Sequence, residues 1–143
     1  LPKIRRCSRS TTNSWTLVSL PATQASKIRI LVVDDEDSIT RMLKLNLEQT
    51  QFFEVRTESR GEAALRAAQE FHPRLIILDI MMPDLGGDEV AAVLRNHPLT
   101  RNVKIIFLTA LAQPNHPYSG PDCVLAKPVD LEAVLRCIHS QLG

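Results

Sequence analysis

The sequence has few aromatic residues and no long apolar run. Phe, Trp and Tyr make up 4% of the 143 residues, so a hydrophobic core has to be built mainly from Leu, Ile, Val and Ala. A bilayer-spanning helix needs about 20 consecutive apolar residues, and because no such run is present we expect no membrane partner. Hydrophobic residues still reach 44% and charged residues 23%, and the length fits one domain with a real core.

Cysteine is also scarce. The three cysteines, Cys7, Cys123 and Cys137, form no CxxC pair, so neither a disulfide framework nor a zinc site is indicated. We therefore expect a reducing, cytoplasmic location, with Cys123 and Cys137 as small buried apolar residues. The four histidines lack metal-ligand spacing and are expected at the surface. No Walker loop or GxGxxG motif is present, so nucleotide binding has no support.

Acidic residues are missing from positions 1–27, where five basic residues lie. This segment is rich in Ser and Thr and has no periodic apolar pattern, so we predict that residues 1–26 form a poorly ordered leader or linker and that residues 27–143 form the folded domain. A secretory signal is a weaker alternative, because its apolar region, "WTLVSLPA", is short and interrupted by Ser and Pro. A basic tail that touches nucleic acid is a further alternative.

From residue 28 onward, predicted strands alternate with predicted helices. Buried strands are indicated by the apolar runs at 28–33, 53–57, 74–79, 103–108 and 123–126, and helices by the periodic segments 38–49, 61–71, 86–96 and 131–142. This alternation predicts an α/β fold of five βα units, a parallel sheet with helices on both faces. Between the fourth and fifth strands, Pro114, Pro117 and Pro121 interrupt the chain, so the fourth helix is expected to be short or missing.

Polar residues follow the strands at their carboxyl ends, where ligands bind in open α/β sheets. Asp34 and Asp35 follow the first strand, Asp79 ends the third, Thr109 the fourth and Lys127 the fifth. Clustered carboxylates repel one another and are stabilised by a hard cation such as Mg²⁺. A site that combines Mg²⁺, a lysine and a hydroxyl suits a phosphoryl group, with one carboxylate as nucleophile and an aspartyl phosphate as the product.

Each of these residues also has a simpler interpretation. The acidic run 34–37 is compatible with an ordinary helix start, for which Asp37 and Ser38 are N-cap candidates. Thr109 taken alone is a strand-end threonine, and Lys127 taken alone is a solvated surface lysine. An EF-hand loop is excluded, since no Gly stands at its sixth position. The convergence of all five residues on one edge of the sheet favours the phosphoryl site.

The motifs resemble those of response-regulator receiver domains from two-component signalling. The matching segments, "ILVVDDED", "LIILDIMMPDLGG", "IIFLTA" and "VLAKP", occur in family order and with near-family spacing. The resemblance covers residues 28–142, about four-fifths of the chain. It implies a flavodoxin-like (βα)5 fold, doubly wound, with strand order 2-1-3-4-5.

The resemblance also implies a role for each site residue. Asp79 is the phospho-acceptor, and Asp34, Asp35 and Asp79 hold Mg²⁺ together with the backbone carbonyl of Met81. Thr109 is the switch hydroxyl, which moves to the phosphate. Lys127 contacts the phosphate, and the Lys127–Pro128 peptide bond is cis. Pro83 and Gly87 shape the loop after the acceptor. The implied phosphodonor is a histidine kinase or a histidine phosphotransfer protein.

The resemblance also has implications for the partners and the activity of the domain. A downstream protein partner is expected without an identity, homodimerisation is left open, and the domain itself is expected to bind no nucleic acid. Enzymatic activity is expected to be limited to self-phosphorylation from a donor and slow self-dephosphorylation. Because the chain begins without Met and ends after its last predicted helix, we expect a stand-alone receiver or a fragment of a longer regulator.

The sequence departs from the family at the face used for output. Val124 stands where the family often has Tyr or Phe, and the interval from Thr109 to Lys127 is shortened and proline-rich. An alternative function is therefore a constitutive protein-binding module that keeps the pocket but does not switch. A haloacid-dehalogenase-type phosphatase is disfavoured, because Met81 replaces its second Asp. The resemblance also implies that Met81 and Leu111 flank the route of the hydrolytic water, and because both are apolar we predict slow dephosphorylation.

Overall fold

The computed structural model describes residues 27–110 and 123–143. The elements, in chain order, are β1 Ile28–Val33, α1 Asp37–Gln49, β2 Phe53–Glu58, a 3-10 turn Gly61–Ala63, α2 Ala64–Phe71, β3 Leu75–Asp79, α3 Gly87–Arg95, β4 Lys104–Thr109, β5 Cys123–Ala126 and α4 Leu131–Leu142. The predicted elements are confirmed here to within a few residues at each end. The predictions for residues 1–26 and for the helix between β4 and β5 lie outside the described residues.

The five strands form one parallel sheet in the order β2-β1-β3-β4-β5. This arrangement confirms the predicted doubly wound, flavodoxin-like topology. The register places Val33 beside Leu78, Asp79 beside Leu108, and Thr109 beside Ala126. The residues that end β1, β3, β4 and β5 therefore meet at a single edge.

Two apolar layers, one on each face of the sheet, hold the helices against it. On one face, Leu31, Ile76 and Phe107 pack with residues of α2 and α3, including Ala67 and Leu94. On the other face the strands pack with α1 and α4 through Ile30, Val32, Ile77, Leu108, Leu43, Leu47, Val134 and Ile138. Each fully buried aliphatic side chain contributes about 1.5 to 3 kcal/mol, so these layers fix the positions of the strand ends.

The start of α1 differs from the sequence-based expectation. Glu36 is the N-cap residue, and no side-chain hydrogen bond caps this helix. Asp37 is the first helical residue, where its charge favours the positive end of the helix dipole. The prediction of Asp37 or Ser38 as N-cap was therefore wrong. The helix starts where the chain leaves the acidic pocket.

Two further expectations need correction. Cys123 and Cys137 are half-buried rather than buried, because β5 lies at the edge of the sheet where α4 covers it only partly. His97 is also half-buried, and its Nε2 lies 3.0 Å from Nε2 of Gln69 on α2. His72 and His139 are exposed as predicted. Cys7 and His116 lie outside the described residues.

None of the helices in the described ranges has both the length and the apolar character needed to cross a bilayer.

Candidate functional site

Two carboxylates are buried at the carboxyl edge of the sheet. Asp34 is 0% exposed and Asp79 is 2% exposed, whereas Asp35 is exposed to solvent. One oxygen from each of these three residues lies within 4.8 Å of the others. The structure thus brings together the three carboxylates that the sequence predicted to be close.

The backbone partners of the two buried aspartates leave part of each carboxylate free for another ligand. Oδ1 of Asp34 accepts a hydrogen bond from the backbone N–H of Glu36 at 2.9 Å, and Oδ1 of Asp79 accepts one from Met81 at 3.2 Å. Oδ2 of Asp34 is buried without a hydrogen bond from any described residue. A buried carboxylate oxygen in that state is costly unless a cation lies near it.

Lys127 supplies a positive charge to this pocket. Its Nζ lies 3.0 Å from Oδ2 of Asp34, 3.4 Å from Oδ2 of Asp79 and 2.7 Å from Oε1 of Glu36. The contact with Asp34 is an ion pair whose angles do not make a hydrogen bond, which explains how Oδ2 can be close to a cation and still lack a hydrogen-bond donor. The Lys127 side chain is only 12% exposed, so the ammonium faces the carboxylates rather than water.

The backbone holds Lys127 next to Thr109. The N–H of Lys127 donates to the carbonyl oxygen of Thr109 at 2.7 Å, and Thr109 itself is buried at the end of β4. The peptide bond between Lys127 and Pro128 is cis, as the family resemblance implied. Thr109 and Lys127 therefore lie side by side at the carboxyl ends of β4 and β5. The role of Thr109 as the switch hydroxyl stays a prediction.

Burial is the main cause that raises the pKa of both buried carboxyls. Desolvation, followed by the charge of Asp34, raises the pKa of Asp79 to about 6, and desolvation also raises that of Asp34. Burial alone lowers the pKa of Lys127, but its contacts with Glu36 and Asp34 outweigh this and hold the pKa above its usual range. The pocket therefore holds more negative charge than one ammonium group neutralises.

The loop that follows Asp79 is held in place by close backbone contacts. A Cβ atom at Gly87 would overlap the carbonyl oxygen of Asp79, so only glycine fits there. The Gly87 N–H donates to the carbonyl of Ile80 at 2.8 Å, and α3 starts at this point. The expectation that Gly87 shapes the loop is confirmed by this contact, whereas the role of Pro83, which is exposed, stays a prediction.

Asp84 joins the loop after Asp79 to the 3-10 turn that precedes α2. Its two carboxylate oxygens accept hydrogen bonds from the backbone N–H groups of Gly61 at 3.3 Å and Glu62 at 3.1 Å. Those hydrogen bonds lower the pKa of Asp84. Sequence analysis missed this residue, because an Asp in a loop after a proline gives no sign of a partner more than 20 positions away.

Glu36 was also missed, although the sequence contained a signal. Glu36 is the third acid of the run 34–37. An acid between the pocket aspartates and the first helix is expected to lie at the edge of the pocket. The structure places its carboxylate closer to the Lys127 ammonium than that of either Asp34 or Asp79.

The donor set fits a hard divalent cation. Three carboxylates converge beside one ammonium group, so their negative charge exceeds what Lys127 neutralises, and oxygen ligands are those that Mg²⁺ prefers. Met81 contributes its backbone N–H to Asp79, but the role of its carbonyl as a metal ligand stays a prediction.

The outer face of β5 carries the departure noted in the sequence. Val124 is 37% exposed there, while Cys123 and Leu125 point to the other face and pack against the layer that contains α4. The position where the family often has an aromatic ring is therefore occupied here by a partly exposed aliphatic side chain. Leu111, the second residue predicted to flank the water route, lies outside the described residues.

The sheet order and the carboxylate pocket define a flavodoxin-like domain with an acidic site at the carboxyl edge of its sheet, and comparison with known proteins identifies its family. Residues 30–139 match the response regulator receiver domain family, so the chain belongs to that family and is a receiver domain of two-component signalling. Receiver domains bind Mg²⁺ at an acidic pocket, and they imply a kinase or phosphotransfer partner.

Individual relatives support the same family. The transcriptional regulatory protein SrrA of Staphylococcus aureus is 41% identical over 112 residues, which is 75% of this chain and 45% of SrrA. The chain thus spans about half the length of the curated relatives it matches. The chemotaxis protein CheY4 of Vibrio cholerae is 29% identical with a TM-score of 0.71, over 80% of this chain and 98% of that one. A response regulator from Chloroflexus aurantiacus has a TM-score of 0.72 at 29% identity, over 81% and 98% of the two chains.

Proposed function

We propose that Asp79 accepts a phosphoryl group from a histidine kinase or a histidine phosphotransfer protein in a Mg²⁺-dependent reaction, and that the phosphorylated domain changes conformation to signal. The observation that carries this proposal is the position of Asp79: its buried carboxylate lies within 4.8 Å of two other carboxylates and 3.4 Å from the Lys127 ammonium. An acid in this position has both an electrostatic reason to bind a cation and a positive group for a phosphate oxygen.

The chemistry follows from the charges at the site. An Asp79 carboxylate oxygen forms a bond to phosphorus, and the bond from phosphorus to the donor nitrogen or oxygen breaks, its electron pair leaving with the donor. Lys127 stabilises the negative charge on the transferred phosphoryl oxygens, since phosphoryl transfer depends mainly on positioning and charge neutralisation. Mg²⁺, held by Asp34, Asp35 and Asp79, would supply further positive charge to these oxygens. Thr109, at the end of β4, is the hydroxyl that would bind the phosphoryl group and report its presence.

The lifetime of phospho-Asp79 is expected to be long. A polar side chain beside the acceptor orients the hydrolytic water, and Met81, which is 57% exposed two residues after Asp79, cannot do so. Slow self-dephosphorylation, with no catalysis on other substrates, agrees with a signalling role rather than an enzymatic one. A phospho-Asp79 half-life of seconds would contradict this part of the proposal.

The first test is the intact mass of the protein after incubation with Mg²⁺ and acetyl phosphate. Wild type is expected to gain one phosphoryl group, whereas Asp79→Asn gains none because the nucleophilic oxygen is lost. A parallel sample with EDTA is expected to stay unlabelled. Since Asp79→Asn keeps the size of the side chain, circular dichroism of this variant serves as the folding control.

The outcome also separates the two functions weighed for this sequence. Labelling accompanied by a change in the NMR spectrum of residues around Thr109 supports a switching receiver. A folded, Mg²⁺-binding wild type that gains no mass contradicts the proposal and favours the constitutive protein-binding module. Labelling in Asp79→Asn would contradict Asp79 as the acceptor. A cytoplasmic location, a separate downstream protein and the absence of direct nucleic-acid binding complete the proposed setting.

A further inference from the structure

Glu36 is an exposed acid whose side chain reaches into the phosphoacceptor pocket. Its Oε1 lies 2.7 Å from Nζ of Lys127, a shorter distance than those from Nζ to Asp34 and Asp79. Within the described part of the chain, the ion-pair partners of Lys127 are these three carboxylates. The lysine assigned to the phosphoryl group is thus already in contact with another anion.

The two members of this pair differ in how freely they can move. The backbone of Glu36 is fixed as the N-cap of α1, and its N–H donates to Asp34. Its side chain is 55% exposed, whereas the Lys127 side chain is 12% exposed. Glu36 can therefore turn into water at little cost, while the Lys127 ammonium has to stay near a negative group.

We propose that Glu36 is a positioning residue that holds the Lys127 ammonium in the unphosphorylated domain and competes with the incoming phosphoryl group for it. This inference rests on the proposed function of Asp79. When the phosphoryl group arrives, one of its oxygens replaces the Glu36 carboxylate at Nζ, and Glu36 turns to solvent. Glu36 also repels an anionic donor, so both effects slow phosphorylation.

An ordinary surface ion pair is the competing interpretation. Exposed pairs contribute at most about 1 kcal/mol and have no role in a neighbouring site. The pair at Lys127 differs because the cation is mostly buried and is shared with two acceptor-pocket carboxylates.

The test compares Glu36→Gln with Asp37→Asn. Asp37 has the same charge, is exposed one position further along, and is not an ion-pair partner of Lys127, so its variant controls for net charge. Glu36→Asp keeps the charge on a shorter side chain and is expected to behave between wild type and Glu36→Gln.

The first readout is independent of phosphorylation. Lys127 is labelled with acetic anhydride in metal-free protein, and its modification is quantified by peptide mass mapping relative to exposed Lys104. In Glu36→Gln the relative reactivity of Lys127 is expected to rise about threefold to tenfold, because Nζ loses the carboxylate that lies nearest to it, at 2.7 Å, and is held less firmly in the pocket. Asp37→Asn is expected to match wild type. An unchanged Lys127 reactivity in Glu36→Gln overturns the proposal.

The second readout is the initial rate of phosphorylation by acetyl phosphate at saturating Mg²⁺. Glu36→Gln is expected to react about threefold to tenfold faster than wild type, the effect of removing one nearby negative charge at partial burial. Asp37→Asn is expected to stay within about twofold, as for an exposed charge in high dielectric. Equal rates for the two variants, or a slower rate for Glu36→Gln, overturn the proposed role of Glu36 but leave the proposed function of Asp79 standing. Absence of labelling in every variant overturns the proposed function and this role with it.

Discussion

The middle of β3 and its carboxyl end are both buried, but they differ in how well the buried groups are satisfied. Ile76, Ile77 and Leu78 are 0% exposed and pack against apolar neighbours on both faces of the sheet. Asp79, one position further, is 2% exposed and faces a second buried carboxylate. The middle of the strand therefore stabilises the fold, whereas its end raises the free energy of the folded state.

Ile77→Ala is expected to have the largest effect on stability. Truncation of a fully buried isoleucine in this layer leaves a cavity and costs about 3 to 4 kcal/mol. Urea denaturation measures the loss. The control is Val93→Ala on α3, where the valine is 43% exposed. This variant is expected to change the free energy of unfolding by less than about 1 kcal/mol. If the two variants lose the same stability, the middle of β3 is not the stabilising region described here.

Gly87→Ala is expected to rank second. The new methyl group would overlap the Asp79 carbonyl oxygen, and displacement of that backbone costs about 2 to 3 kcal/mol. The labelling of Asp79 by acetyl phosphate is expected to fall with it. At Gly86 the nearest atom is Oδ1 of the flexible Asp88 side chain, so Gly86→Ala serves as the matched control and is expected to cost under about 1 kcal/mol. Equal losses in the two variants would remove the special role of the contact with Asp79.

Asp79→Asn is expected to stabilise the metal-free protein, in contrast to Ile77→Ala in the same strand. The folded-state pKa of Asp79 is about 6 against an ordinary value of 3.8, so the folded state binds more protons between these two values. The wild-type free energy of unfolding therefore falls as pH rises through this window. The variant lacks this penalty and is expected to be more stable by about 1 to 2 kcal/mol at pH 8.

The measurement is urea denaturation in EDTA at two pH values. At pH below 3.8 the advantage of Asp79→Asn is expected to vanish, because the wild-type carboxyl is then protonated in both states. Addition of Mg²⁺ at about ten times its Kd is expected to stabilise wild type by about 1.4 kcal/mol through mass action. A variant that is less stable than wild type at pH 8 would show that the pocket is not strained by its charges.

Met81→Asn is expected to have the smallest effect, and on rate rather than stability. An amide beside the acceptor can orient the hydrolytic water, which is expected to shorten the lifetime of phospho-Asp79 about fivefold, or about 1 kcal/mol in the barrier. The decay of the phosphorylated mass in the presence of Mg²⁺, after removal of acetyl phosphate, gives this lifetime. Leu99→Asn, a change at another exposed apolar residue outside the pocket, is the control. An unchanged lifetime in Met81→Asn would rule out the water route.

Most of the fold was predictable because its signals are local. The apolar runs that became β1 and β3 are continuous, and residues 131–142 carry a clear helical period, so both types of element could be recognised without tertiary information. The predicted edge of the sheet then brought Asp34, Asp79 and Lys127 together, as the distances to the Lys127 ammonium confirm.

The remaining features depend on contacts between distant segments. The hydrogen bonds from Gly61 and Glu62 to Asp84 join two loops, and no local pattern encodes them. The half-burial of Cys123 depends on where β5 lies in the sheet, which hydrophobicity alone does not indicate. The choice of Glu36 rather than Asp37 as N-cap follows from the point at which the chain leaves the pocket.

The link made by Asp84 has a consequence for local unfolding. Because its carboxylate holds the amides of Gly61 and Glu62, opening of the loop after Asp79 also releases the first turn before α2. The two segments are therefore expected to behave as one cooperative unit, whose amides exchange with solvent through a shared opening. Hydrogen exchange at Gly61 and Glu62 is then expected to report on order in the loop after Asp79 from a segment that lies outside the carboxylate pocket.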